Sequence, residues 1–489
     1  MVNYTEESAF IEKYKPFRKF WTVFSPHFVA RLHSLANMIR GENPTQEPPS
    51  NNEDFLTEYE ACLKNWKDAQ KIISSEIVFR LRDIKKLEVK KNEHHRNKDK
   101  AKKEKCIDEI NLKKIEVLIL RRCVDSLIWS ILDEEHSSLR RLPINAVNDN
   151  LSEDNIIDSM VAADLINQDK HAIAIVSDMS TFVHVGDLVT FNPLDGFQLV
   201  EVKTGKKNNE IYEAAEFSVI SKCPHFEENF KNNMSGNDVK QFKRIKRQVV
   251  RGMNVLEAIN TGEGFDNLHQ SKVKIDEIDL PSEFYTHRLF KMWEVIRGGK
   301  NWAIDTIDEC LFLGMYRDSG MGFVAFNGWM DSIGIKSPVV NINDSFFDPL
   351  SRPFMSLHLP TEMLSDIMSG KIIIVMCFDN ELFFHRANKM YPSLFLLSNA
   401  ESTKQPLENI LHVGSQGIAS YVNGHASFLG NGIESRILFD QQRPDNIIEW
   451  SYAREGANKQ VISSQADSLI KISRIWADFF PANTSNQPI

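Results

Sequence analysis

The stretch VGDLVTFNPLDGFQLVEVKT, residues 185–204, alternates apolar and polar side chains on both sides of a turn-rich centre. VGDLVTF (185–191) and QLVEVKT (198–204) have the β-branched content of strands, and NPLDGF between them carries the Asp195-Gly196 turn signal. A β-hairpin is expected. Because side chains alternate across a strand, Glu201 and Lys203 fall on one face, with Asp187 on the preceding strand. A loop of Pro193 to Phe197 sets Asp187 opposite Lys203 and diagonal to Glu201; a register shifted by two sets it opposite Glu201. In both cases the three polar groups share a face, whereas a slip of one residue separates them.

Val185, Val189, Phe191 and Leu199 lie on that same face, and Leu188, Val200 and Val202 on the other. A strand pair apolar on both sides is an interior one, where two carboxylates and an ammonium are expensive unless something compensates them. A divalent cation held by Asp187 and Glu201 is such compensation. Mg²⁺ (or Mn²⁺) suits one or two carboxylates completed by waters and phosphate oxygens. Lys203 is then placed to orient a water or to stabilise charge on a phosphate. The tripeptide alone is weak evidence, since Glu88-Val89-Lys90 and Asp238-Val239-Lys240 resemble it within helical segments. Only the copy at 201–203 has a hairpin and an upstream Asp.

This constellation, GDL at 186–188 with 13 residues between its Asp187 and the EVK at 201–203, resembles the PD-(D/E)XK nuclease superfamily. Gly186 stands where the family's pattern has Pro. The resemblance implies a restriction-endonuclease-like αβββαβ core, Mg²⁺-dependent phosphodiester hydrolysis with Asp187, Glu201 and Lys203 as catalytic residues, and metal ligands at Asp187 and Glu201. It also implies a further acid from the helix before the sheet, for which Glu135, Glu153, Asp158 and Asp164 are equal candidates. DNA is the implied substrate, with RNA an open alternative.

A helix expected over Asn237 to Asn260 crowds Lys240, Lys243, Arg244, Lys246, Arg247 and Arg251 into its first half. In nucleases of this type the helix after the ExK strand packs beside the active site, and a basic one can contact phosphates without reading sequence. Gln241 or Gln248 on it is a candidate to reach the site.

The flanks carry no such signal. Residues 1–145 read as a helical N-terminal domain: Pro49 to Pro143 contains no Gly or Pro between its ends. Apolar stripes run through Leu56, Tyr59, Leu63, Trp66, Ile73, Ile77, Ile84 and Leu87, and through Leu112, Ile115, Ile119, Cys123, Leu127, Ile128 and Ile131. KKNEHHRNKDKAKKEK (90–105) separates them as the charged tip of a helical hairpin. Residues 146–272 form the nuclease-like core, opened by a helix over 152–167 with Ser152 as its cap and a strand HAIAIVSD (171–178). Residues 273–480 read as an α+β C-terminal domain and 481–489 as a tail. The fold class is therefore mixed α+β: a helical arm, a restriction-endonuclease-like core and an α+β domain.

The six cysteines form no CxxC pair, and no apolar run reaches the ~20 residues of a membrane span. With no basic-then-apolar start, a cytoplasmic protein without a membrane partner is expected. The net charge of −9 confines any nucleic-acid contact to local basic patches. Two functions fit these features. One is a metal-dependent deoxyribonuclease, by architecture suited to restriction or phage defence; the other is a catalytically idle nuclease-fold scaffold binding nucleic acid or protein. The hairpin 50–140 or the C-terminal domain offers a surface for a second copy or a protein partner. Asp305 and Asp308 point to opposite faces of a strand-like run, and no histidines share metal spacing.

Overall fold

The computed structural model of the chain describes residues 20–40, 52–132, 139, 142, 151–192, 196–202, 206–266, 271–274, 280–317, 319–399, 407–422 and 425–459. Its class is mixed α+β, with antiparallel sheets throughout. The chain forms two compact units, one spanning 60–275 and the other joining 20–59 to the residues from 276 onward. The helical arm and the central strands thus fall in one unit. The first described helix, α1 (Pro26–Arg40), belongs to the second.

The first unit is built on two long helices, α2 (Asn52–Arg96) and α3 (Lys100–Ile131), which form the expected hairpin. Its tip is only three residues long: Lys98 takes a left-handed φ of 56° and Asp99 caps α3 by accepting the Lys102 N–H at 3.1 Å. Most of the charged run 90–105 is therefore helix, and its cations are in part paired locally, as in Lys91–Glu88 and Lys102–Asp99. Leu63, Ile73 and Ile77 of one stripe and Ile115, Ile119, Cys123 and Leu127 of the other are buried. A buried ion pair, Arg80 Nε to Glu116 Oε2 at 2.7 Å, ties the helices together.

After α4 (Glu153–Ile166) comes a three-stranded antiparallel meander of β1 (Ile173–Val176), β2 (Leu188–Asn192) and β3 (Gly196–Val200). All three strands are shorter than their sequence signals. β1 runs into a 3₁₀ turn at Ser177–Met179, and β2 starts only after Gly186, whose φ of 69° bends the chain. β3 stops at Val200. Ser152 stands at the α4 N-cap, but its side chain makes no cap hydrogen bond. On one face of the sheet Ile175, Val189, Phe191 and Phe197 meet Ile128 and Ile131 of α3.

The outer edge of β1 is closed by side-chain amides. Gln70 of α2, fully buried, donates to Ala174 O at 2.8 Å and accepts Val176 N–H at 2.9 Å, while Asn167 Oδ1 accepts Ala174 N–H at 2.8 Å. These groups satisfy donors and acceptors that another strand would otherwise take. Beyond β3 follow α5 (Lys206–Ser221), α6 (Pro224–Asn232) and α7 (Gly236–Thr261). The next strands, β4 (Glu263–Asp266) and β5 (Ser271–Lys274), pair only with each other. The order α-β-β-β-α is thus present, but among the described residues the three-stranded sheet gains no fourth strand.

The second unit carries a four-stranded sheet, in the order β6-β7-β9-β8. WAIDTIDECLFLGMYR is a hairpin rather than one strand: after α8 (Thr286–Arg297), β6 (Trp302–Ile307) and β7 (Leu311–Tyr316) flank a turn with left-handed Asp308 and Glu309. Asp305 pairs with Arg288 and Asp308 with Arg443, so neither is a metal-site pair. α9 (Ser319–Ser332), β8 (Val339–Asn341), α10 (Thr361–Met368) and β9 (Ile373–Phe378) follow, with Gly370 at φ 70° just past α10. α11 (Asn380–Met390), a smaller sheet of β10 (Leu396–Asn399), β11 (His412–Val413), β12 (Gln416–Val422) and β13 (His425–Phe428), then α12 (Gly432–Leu438) and α13 (Pro444–Lys459) complete it. Asn431 is the N-cap of α12, while Asn423-Gly424 lies outside the described residues.

Gln70 has a measurable consequence. Gln70→Leu keeps the volume but strands the Val176 N–H and leaves the Ala174 carbonyl only the longer bond from Asn167 Nδ2 at 3.4 Å, and is expected to lower unfolding stability by about 1–3 kcal/mol in a urea titration. A loss below about 0.5 kcal/mol would mean that water closes this edge equally well.

Candidate functional site

The hairpin register is explicit as far as Leu188. Leu188 pairs with Val200, Val189 with Leu199 and Thr190 with Gln198. The ladder has the register of the second arrangement the sequence allows, but it ends at the Leu188–Val200 pair, so Asp187 and Glu201 stand just beyond its last rung. Asp187 is held through its backbone on both sides: its N–H donates to Val200 O at 3.0 Å and its carbonyl accepts Ser177 N–H at 3.0 Å. Its Oδ2 accepts the Val202 N–H at 2.7 Å. Gly186 is required immediately before it, since a Cβ there would lie 3.3 Å from Leu188 O and 3.4 Å from Val200 O, at a φ that side chains rarely adopt.

Asp187 and Glu201 are both half-buried. Glu201 lies one residue past the end of β3, so its placement comes from the chain leaving the ladder rather than from strand alternation. Lys203 lies outside the described residues. The same is true of Glu135. Of the other candidate acids, Glu153 is engaged by Arg82 at 2.7 Å and Lys85 at 3.4 Å, Asp164 by Lys71 at 3.4 Å, and Asp158 is exposed. Among the described residues no group of three His, Cys, Asp or Glu side chains gathers as a metal site. Asp187 and Glu201 therefore offer two hard oxygen donors, a set that fits Mg²⁺ when water and phosphate oxygens supply the rest.

A residue that the sequence pattern did not single out joins this pair. Tyr212, in the second turn of α5, is half-buried, and its hydroxyl is pushed up to about 12 by burial and then by the negative charges of Glu216, Glu201 and Asp187. Both hairpin carboxylates thus act on one phenol. Its position on the first helix after the ExK run is the only sequence signal that could have pointed to it.

The segment leading to Asp187 is anchored from α3. Asp125 and Arg122 are fully buried and paired at 2.7 Å. Asp125 also accepts from Ser180 Oγ at 2.6 Å, Thr181 N–H at 2.9 Å and Thr181 Oγ1 at 2.6 Å. Ser180 Oγ in turn accepts the N–H groups of Phe182 and Val183 at 3.1 and 3.0 Å, and Arg121 donates to the Ser180 carbonyl.

The expected basic helix is α7, with Ser235 and Asp238 forming a reciprocal capping box at its start. Phe242, Ile245 and Val249 are its buried face. Lys240, Lys243, Arg244, Arg247 and Arg251 are exposed. Lys246 is not part of that set: it turns inward to Ser218 Oγ at 3.0 Å and to Glu227, which Lys231 and Lys246 together hold down at about 2. Gln241 donates to Asn208 Oδ1 at 2.7 Å and Gln248 is exposed. Gly252 lies against β3, where a Cβ would be 3.7 Å from Leu199 Cδ1. No helix among the described residues is long and apolar enough to cross a membrane.

No protein-family model matches the chain, and neither a curated protein nor a solved structure does.

Tyr212 makes the electrostatics testable. Its ordinary value is 10.0 and the folded chain raises it to about 12. The folded state then holds the phenol proton more tightly than the unfolded state. That stability is fully present below pH 10 and is lost as pH rises towards 12. Urea titrations between pH 9.5 and 12 should show a decline that Tyr212→Phe makes shallower; an identical decline in the variant would detach Tyr212 from this effect.

Proposed function

We propose that the chain is a metal-dependent phosphodiesterase acting on DNA. The supporting observation is that Asp187 and Glu201, both half-buried just past the last rung of the β2–β3 ladder, act together on the Tyr212 phenol. Asp187 and Glu201 would hold Mg²⁺ or Mn²⁺. When bound, such a cation polarises a phosphate oxygen and makes a water more acidic.

The chain's own groups have separate tasks. The Val202 N–H fixes the Asp187 carboxylate in one orientation, so the donor atom turned away from that bond is preorganised. Tyr212, a neutral phenol at neutral pH, places a hydroxyl rather than a further negative charge within the field of the two carboxylates. Lys203, by the resemblance to PD-(D/E)XK nucleases, would orient the attacking water or stabilise charge on the phosphate. The same resemblance supports a restriction-endonuclease-like core and, by architecture alone, a role in restriction or phage defence, while the six cysteines spread without a CxxC pair suit a reducing cytoplasm.

A second function has two observations in its favour. Asp187 already accepts a strong backbone hydrogen bond, and the described acids Glu153 and Asp164 are tied to cations. This is the state expected of an idle nuclease fold that binds nucleic acid or a protein without cutting.

The two are separated by incubating supercoiled plasmid with the full chain and Mg²⁺ or Mn²⁺. Cleavage should fall a hundredfold or more, about 3 kcal/mol of barrier, in Asp187→Ala, Glu201→Ala and Lys203→Ala. Calorimetric titration with Mn²⁺ should show uptake by the wild type and by Lys203→Ala, but not by the two carboxylate variants. Wild-type Mn²⁺ uptake without cleavage favours the idle scaffold. Equal cleavage by all four proteins refutes the assignment of the site.

A further inference from the structure

We infer that the exposed face of α7 is a track for the phosphate backbone of a nucleic acid, gripped without contact to the bases. Lys240, Lys243, Arg244, Arg247 and Arg251 are spaced by three, four, seven and eleven residues from the first, which places them on one side of the helix. All five are exposed, while Phe242, Ile245 and Val249 fix the opposite side in the core. The stripe therefore cannot rotate away from solvent.

No acid interrupts it. From Val239 to Leu256 the helix has no Asp or Glu, and Asp238 before it is already paired with Lys207 at 2.7 Å. In a chain of net charge −9, this is a sharply local positive field. The exposed apolar residues of the helix, Val250 and Met253, lie at one edge of the stripe and beyond it rather than at its centre, where a protein interface would need a desolvated apolar or aromatic anchor. A regularly charged polymer is the better match. The eleven-residue step from Lys240 to Arg251 spans about 17 Å, which faces on the order of five phosphates of one strand.

Lys246 shows that the arrangement is selective. It carries the same charge on the same helix, yet it is committed to Glu227 and Ser218 and has no part in the stripe. At the other end, Gly252 follows Arg251 and abuts Leu199, two residues before Glu201. The track thus ends beside the strand that leads to the carboxylates. In this respect the inference rests on the proposed phosphodiesterase, whereas binding itself does not require that site to be active.

The test measures binding without metal, so that cleavage plays no part. Fluorescence anisotropy of the full chain in EDTA is recorded against labelled duplex DNA, single-stranded DNA and single-stranded RNA of 20 nucleotides at several salt concentrations. The expected result is salt-sensitive binding to at least one of them, independent of its sequence. The slope of log affinity against log salt should become shallower by roughly 1.8 for a duplex when Lys243→Gln and Arg247→Gln are combined, at about 0.9 per charge. Lys246→Gln, with its fold checked by circular dichroism, should leave that slope unchanged. Absence of binding to all three probes overturns the proposal, as does an unchanged slope in the double variant or equal affinity for anionic phospholipid vesicles. If the wild type binds as expected but does not cleave with Mg²⁺, the track stands and only the phosphodiesterase falls.

Discussion

The geometry around Asp187 depends on a charge pair that never meets solvent. Asp125 and Arg122 lie one helical turn apart on α3, each fully buried. An isolated charge in that position would be prohibitive. What makes it tolerable is that Asp125 takes hydrogen bonds from Arg122, from both hydroxyls of Ser180 and Thr181, and from the Thr181 N–H. The donors come from the segment between β1 and β2, so the desolvation of the pair is offset only if that segment is in place. A segment that could otherwise drift is fixed to α3 by the Asp125 carboxylate, with Arg121 and Arg122 adding bonds to the Ser180 carbonyl and Thr181 Oγ1. It then delivers Gly186 and Asp187 to the start of β2.

The edge of β1 follows the same logic with neutral groups. A three-stranded sheet has two open edges, and each open edge presents unpaired amides and carbonyls. Gln70 and Asn167 supply the donor and acceptors at β1, so the sheet is closed there by α2 and by the residue after α4. This accounts for the absence of a further strand at that edge among the described residues. It also explains why long helices precede so small a sheet: they supply both the apolar cover and the polar groups that the strands lack.

Much of this was legible in the sequence, for reasons that can be named. The three strand runs, the hairpin with its two allowed registers, α7 within a residue of its predicted ends, and the buried middle of each stripe on α2 and α3 follow from periodicity, which reports burial directly. The ends of β3 did not. Glu201-Val202 continues the alternation, but alternation describes side chains, and a ladder ends where backbone partners stop. Asp125 was hidden because ILRRCVDSLIW reads as one amphipathic helix, and only tertiary packing shows that Arg122 and Asp125 are on its interior side. Tyr212 was missed because no local pattern announces a helix residue approaching a strand end.

The two kinds of lysine on α7 carry this distinction furthest. Lys243 and Lys246 are three residues apart on one helix, in the same basic run, and sequence offers no ground for treating them differently. Packing separates them. Phe242 and Ile245 set the rotation of the helix, and Glu227 on α6 then meets Lys246 but not Lys243. A charge drawn to a carboxylate inside the fold has its field largely cancelled there, whereas one facing solvent acts across about a Debye length, ~8 Å at physiological salt. The basic character of α7 is thus one structural cation plus a solvent-facing stripe, and the core residues decide which cation belongs to which.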